Sequence, residues 1–163
     1  MRVIEFELVR VISGPIEEVF DRLADIDGYA KWMPRRGSLL RRTRQTSPGP
    51  VGLGATYLDQ TSVGDTPGEV TEFERPTAIV FHWWDAASSG KLKVEGWPGF
   101  RLEAIDARST RLRHHARIQV YGSSRLATPV YRLLARRERT LVVEALQVSF
   151  NRRAAGQSET SAM

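Results

Sequence analysis

Polar and apolar residues alternate along residues 2–12. Val3, Glu5, Glu7, Val9 and Val11 point one way; Ile4, Phe6, Leu8, Arg10 and Ile12 point the other. A period of two predicts a strand, here with one face more apolar. Ser13-Gly14-Pro15 then opens a helix, because proline suits a first helical turn. Its buried stripe is Ile16, Val19, Phe20 and Leu23, and Glu17 and Glu18 sit favourably at its positive end. Asp25-Ile26-Asp27-Gly28 breaks it, and Tyr29, Trp32 and Met33 form a short second helix that Pro34 ends. Strands follow at 38–46, 54–63, 69–75, 77–85, 91–106 and 110–121. Turns fall at Ser47-Pro48-Gly49-Pro50, over 64–68 and over 86–90. In the most apolar strand Ile79, Phe81 and Trp83 share one face, and Val80, His82 and Trp84 share the other. Gly96-Trp97-Pro98-Gly99 predicts a bulge or sharp bend within 91–106. The last strand places Leu112, His114, Ala116, Ile118 and Val120 on its apolar face.

Residues 127–152 read as one long amphipathic helix. At about 100° per residue, Val130, Leu134, Leu141, Ala145 and Val148 fall within a narrow arc, which predicts the buried face. Glu138 interrupts that arc, with Arg137 at its edge. A carboxylate there points either to a polar-tipped cavity or to a local shift that lets Glu138 reach water or an arginine. If Glu138 faces a cavity, leucine in its place extends the apolar stripe and raises stability. The order of strand, two helices, six strands and long helix predicts one α+β domain over 1–153. Its antiparallel sheet of about seven strands wraps the last helix. Residues 154–163 are small and polar and predict a flexible tail.

Composition narrows the function classes. A chain of 163 residues suits one domain large enough for a core and a modest cavity. No apolar run approaches the roughly 18 residues of a membrane span, and the N-terminal residues lack a signal-peptide layout. With no cysteine there is neither disulfide nor thiolate metal site, and a cytoplasmic protein is expected. The net charge is +5, and 21 of the 24 basic residues are arginine. They are spread along the chain rather than interleaved with stacking aromatics, so no nucleic-acid partner is expected. A positive field that draws anionic small molecules fits the same charge.

The segment Gly14-Pro15-Ile16-Glu17-Glu18-Val19-Phe20, then Leu23-Ala24-Asp25, Tyr29 and Trp32-Met33-Pro34, resembles the start of START-like, or polyketide cyclase/dehydrase, domains. Gly52-Leu53-Gly54-Ala55-Thr56-Tyr57, the strand 69–76 closing on Pro76, Phe100-Arg101-Leu102-Glu103 and Ser109-Thr110-Arg111-Leu112 continue the resemblance in order. It implies the helix-grip fold over roughly residues 2–152. It also implies a cavity between sheet and long helix for hydrophobic small molecules, lipids or polyketides. Some members cyclise or dehydrate substrates there, others carry ligands, and some resemble a co-chaperone domain. No universal catalytic motif carries over.

Three histidines exist, and His114 and His115 are adjacent on a strand, so they point to opposite faces and cannot share an ion. No metal site and no cofactor are expected. Gly49-Pro50-Val51-Gly52-Leu53-Gly54 lacks the lysine and hydroxyl residue of a phosphate-binding loop, and there is no serine elbow. His114, on an apolar strand face, is either a satisfied core histidine or a group that hydrogen-bonds a ligand carbonyl or phenol. Tyr57, Phe81, Trp83, Phe100 and Tyr131 are candidate walls, Trp32 a candidate at the mouth, and Arg35-Arg36 either solvated or a cationic gate. The ligand-binding set is therefore Trp32, Tyr57, Phe81, Trp83, Phe100, His114, Tyr131 and Glu138. Three functions fit: a carrier of a hydrophobic or aromatic molecule, a cyclase/aromatase/dehydratase working through Glu138 and His114, and a ligand-free interaction module.

Overall fold

The computed structural model describes residues 1–34 and 36–160, leaving aside the side chains of residues 154 and 157–160. Strand β1 (Arg2–Ile12) leads into helix α1 (Ile16–Ala24) and a 3-10 turn (Tyr29–Lys31). Strands β2 (Leu40–Gln45), β3 (Thr56–Thr61), β4 (Gly64–Glu74), β5 (Ala78–Ala86), β6 (Leu92–Asp106) and β7 (Ser109–Val120) follow. A second 3-10 turn (Gly122–Ala127) then opens the long helix α2 (Thr128–Thr160). The sheet order is β1-β7-β6-β5-β4-β3-β2, and each neighbouring pair is antiparallel. From β2 to β7 consecutive strands pair with one another, and β1 closes against β7. Register shifts at Leu40/Arg42, Val70/Glu72, Asp85/Ala86 and Ala104/Asp106 bend the strands.

Alternation decides which residues face in. Ile4, Leu8 and Ile12 of β1 and Leu112, His114, Ala116, Ile118 and Val120 of β7 are buried, as their patterns predict. Helix α1 buries Val19, Phe20 and Leu23 against them, with Glu17 and Glu18 in its first turn. Burying side chains of this size stabilises by about 1.5–3 kcal/mol each.

Three expectations need correction. The buried face of α2 carries Val142, Val143, Leu146 and Phe150. Val130 and Val148 are exposed, and Leu134, Leu141 and Ala145 are half-buried. Both arcs of the helix are apolar, and the contact with β1 and β7 selects between them. Residues 64–68 are strand, not turn: the chain reverses at Ser62-Val63, where Gly64 has φ 137°, a conformation that favours glycine. Pro67 is accommodated because the β4–β5 ladder begins only at Gly68. The β6–β7 register runs unshifted from Val94 to Ala104, so Gly96–Gly99 forms no bulge; Pro98 only interrupts the β5–β6 pairs between Val80↔Gly99 and Trp83↔Gly96. Helix α2 runs to Thr160. No helix among the described residues is long and apolar enough to cross a membrane.

Two glycines let aromatic rings lie flat on the inner face. A β-carbon at Gly68 would stand 2.3 Å from Tyr57 Cζ and 2.8 Å from the His82 carbonyl oxygen; one at Gly96 would stand 2.7 Å from the Trp83 indole. The Gly68 clash includes backbone, so moving Tyr57 alone does not relieve it. Gly68→Ala is expected to cost about 1–3 kcal/mol in urea unfolding. Gly52→Ala, with nothing within 4 Å of its β-carbon, should change stability far less. Equal midpoints for both would show that Tyr57 does not rest on Gly68.

Candidate functional site

The inner face of the central strands positions His114. It is fully buried and lies opposite Phe100, and the two rings stack with centroids 4.3 Å apart. His114 Nδ1 is 2.9 Å from the Gly99 carbonyl oxygen. A carbonyl can only accept, so Nδ1 carries the proton and Nε2 presents a lone pair. No hydrogen-bond partner among the described residues meets that Nε2. Burial, and secondarily the charge of Arg139, push the His114 pKa down to about 3. The ring is neutral at pH 7 and offers an acceptor to the interior.

Tyr57 and Asp59, two residues apart on β3, share the inner face. Thr43 of β2 lies opposite Asp59, and its hydroxyl donates to Asp59 Oδ1 at 2.6 Å. Burial raises the Asp59 pKa, opposed by that hydrogen bond and by Arg139. Burial, then the Asp59 charge, raises the Tyr57 pKa well above its usual value. Tyr57 meets Phe81 edge-on at 5.8 Å. Tyr29 donates its hydroxyl to the Leu23 carbonyl at 2.6 Å, and burial raises its pKa as well. Arg139 on α2 bears on Tyr29, Tyr57, Asp59 and His114 alike, which places a guanidinium charge beside this interior.

Glu138 lies between the two apolar arcs of α2 and reaches sideways. Its Oε2 accepts from the Ser38 hydroxyl at 2.6 Å and from the Leu39 N–H at 3.0 Å. Its Oε1 has no hydrogen-bond partner among the described residues and pairs with the Arg137 guanidinium at 3.8 Å. Trp32 packs edge-on against Tyr29 at 5.5 Å, and its Nε1 is likewise buried without a partner.

Comparison with solved structures bears on this arrangement. The Zhui aromatase/cyclase from Streptomyces sp. R1128 superposes with a TM-score of 0.74 at 15% identity, covering 94% of this chain and 96% of that one. A START superfamily protein from Mycobacterium smegmatis gives 0.70 at 11%, covering 91% and 97%. Thalictrum norcoclaurine synthase gives 0.70 at 7%, covering 94% and 97%. This is the START-like, helix-grip fold. No family model and no curated protein matches the sequence.

Within this helix grip, the residues expected to line one cavity divide into two groups. Tyr57, Phe81 and Phe100 pack with α1 and the C-terminal half of α2, and Trp32 borders them. Trp83 and Tyr131 pack instead with Ile4, Val94, Ile118 and Val120 under the start of α2. Between these groups the Tyr57 and Trp83 rings rest on Gly68 and Gly96. Two pockets open on the outside. One of about 380 Å³ borders Arg2 and Arg125, and one of about 220 Å³ lies beside Trp97 on the outer sheet face. On that outer face His82 stacks on Trp97 at 4.7 Å, and its Nε2 lies 2.8 Å from Glu95 Oε2. No group of three metal-binding side chains occurs among the described residues. Arg35 lies outside the described residues, and Arg36 is exposed.

Sequence reasoning missed Asp59, Thr43, Tyr29 and Arg139. Asp59 was findable: alternation puts it on the face of Tyr57. Arg139 sits four residues before Val143 and seven before Leu146, on the buried arc, but that arc is not the one the wheel selects.

Proposed function

We propose that this chain binds a hydrophobic, aromatic small molecule bearing hydroxyl or carbonyl groups, of polyketide type, between the sheet and α2, and that it acts in the cytoplasm. One observation carries the reading. Among the described residues, three buried side-chain atoms have no hydrogen-bond partner: Trp32 Nε1, His114 Nε2 and Glu138 Oε1, the last 3.8 Å from Arg137. An unmade buried hydrogen bond costs about 1–3 kcal/mol. These atoms come from three separate elements, and they form a donor and two acceptors. A phenolic hydroxyl satisfies either acceptor and a ligand carbonyl satisfies the indole. Tyr57, Phe81 and Phe100 supply the apolar contact. Helix α2 rests chiefly on β1, so the side toward β3–β5 is held by the Glu138 tie to Ser38 and Leu39. Entry there requires only a local opening.

The solved neighbours that are cyclases suggest catalysis as a second role. The physical chemistry ranks it below binding. A histidine with a pKa near 3 is a weak base at neutral pH, whereas general-base catalysis favours a pKa near the working pH.

Titration with a hydroxylated anthraquinone, followed by fluorescence and by native mass spectrometry, separates these readings. One molecule is expected to bind per chain, without turnover. Trp32→Phe, which keeps an apolar ring and removes the donor, is expected to weaken binding about fivefold to tenfold. Binding indifferent to that substitution, or no binding by folded protein, refutes the reading.

A further inference from the structure

A second apolar surface lies on the first part of α2 and the 3-10 turn before it. Leu126 is 90% exposed, Leu133 72% and Val130 57%. At about 100° per residue Val130 and Leu133 share one face of α2, and Leu126 precedes them in the 3-10 turn. That face is turned away from the sheet, since Tyr131 and Ala135 hold the opposite side. Single exposed leucines are ordinary; three long aliphatic side chains in one stripe mark a surface that is covered in use.

Its surroundings say by what. Residues 122–137 contain four arginines, Arg125, Arg132, Arg136 and Arg137, and no carboxylate. The first carboxylate, Glu138, is turned toward Ser38 and Leu39. Arg132 and Arg136 are exposed and form no ion pair among the described residues. A pocket of about 380 Å³ opens beside Leu126, lined by Arg2, Gly122, Ser123 and Arg125. Arg125 Nε donates to the Gly122 carbonyl at 2.9 Å, which fixes the guanidinium and leaves its terminal nitrogens available.

We propose that this face docks on an anionic lipid membrane, with Leu126, Val130 and Leu133 entering the acyl boundary and Arg2, Ser123 and Arg125 holding a headgroup phosphate. A second copy fits poorly, because pairing the stripe with itself brings together six arginines, Arg125, Arg132 and Arg136 of each copy, that form no ion pair among the described residues. An acidic protein would answer the charge but not the protruding aliphatic side chains. An anionic bilayer answers both: arginines reach the phosphates while leucines leave water. The helix lies on the surface and does not span, consistent with the absence of a spanning helix among the described residues. The proposal does not rest on the interior site.

Sedimentation with vesicles tests it. Vesicles of phosphatidylcholine with 30 mol% phosphatidylglycerol, a composition chosen in the ~1 kcal/mol-per-arginine regime, are compared with pure phosphatidylcholine. Binding is expected to the anionic vesicles only and to weaken in high salt. Leu126→Ser with Leu133→Ser, exposed positions whose change leaves the fold intact by circular dichroism, is expected to lower binding at least about tenfold. Arg2→Gln with Arg125→Gln is expected to lower it at least about threefold. No binding to anionic vesicles overturns the proposal and leaves the surface to an acidic protein. Binding indifferent to the leucine pair overturns it as a general charge effect. A dimer on gel filtration that Leu133→Ser dissociates overturns it in favour of a second copy.

Discussion

Lowering the pH from 7 to 4 is expected to remove about 3 kcal/mol of folding stability through His114 alone. Burial holds the folded pKa near 3, against about 6.5 in the unfolded chain. Between those values the unfolded chain takes up a proton that the folded protein refuses. Stability therefore rises with pH across this window: it is complete above about pH 6.5 and declines as the pH falls toward 3. The fully buried ring has no solvent to screen the effect. His114→Gln removes the titration and keeps a donor for the Gly99 carbonyl. Urea unfolding at pH 7, 5.5 and 4 should show the wild type losing about 3 kcal/mol more than the variant. Carboxylates titrate in both proteins, so they cancel in the difference. Parallel losses would mean that the imidazole is hydrated or finds an acidic partner.

Glu138→Leu is expected to destabilise by about 2 kcal/mol, the reverse of what the sequence alone suggests. The wheel places Glu138 where leucine extends an apolar stripe. In the folded chain its Oε2 collects two hydrogen bonds, from Ser38 and the Leu39 amide. Hydrogen bonds to a charged acceptor are worth about 1.5–3 kcal/mol each, and truncation also leaves both donors unpaired. The apolar gain of leucine offsets part of this. Glu138→Gln keeps an acceptor for Ser38 and Leu39 and should lose less than half as much. Thermal melts of the three proteins decide the matter. A leucine variant as stable as wild type would show that the tie between α2 and residues 38–39 carries no net energy.

The contrast shows where the sequence was readable. In β7 one face is apolar and the other carries Arg111, Arg113, His115 and Arg117, so alternation put Leu112 and His114 on the inward face. Helix α2 was legible as a helix but not in phase. Val130, Leu134, Leu141, Ala145 and Val148 make one apolar arc, and Tyr131, Ala135, Val142, Leu146 and Phe150 make another. Only tertiary contact chooses, through Phe150 against Gly14 and Tyr131 beneath the cluster of Trp83. That choice exposed Val130 and turned Arg139 inward. Local turn chemistry misled at residues 64–68, where only Gly64 serves the reversal and Gly68 instead makes room for Tyr57. Asp59 was hidden by the habit of placing carboxylates outside; Thr43 is what makes it tolerable inside.

The central claim is that His114 Nε2 waits unpaired for a ligand hydroxyl, and nitrogen NMR of labelled histidine reads that atom directly. His114→Gln assigns its resonances apart from those of His82 and His115. On titration with a hydroxylated anthraquinone, the His114 Nε2 signal should move upfield from its free-acceptor position while the Nδ1 signal, held by Gly99, stays in place. A ligand that binds and leaves the His114 Nε2 signal unmoved, or shifts only His82 and His115 on the outer face, would contradict the account.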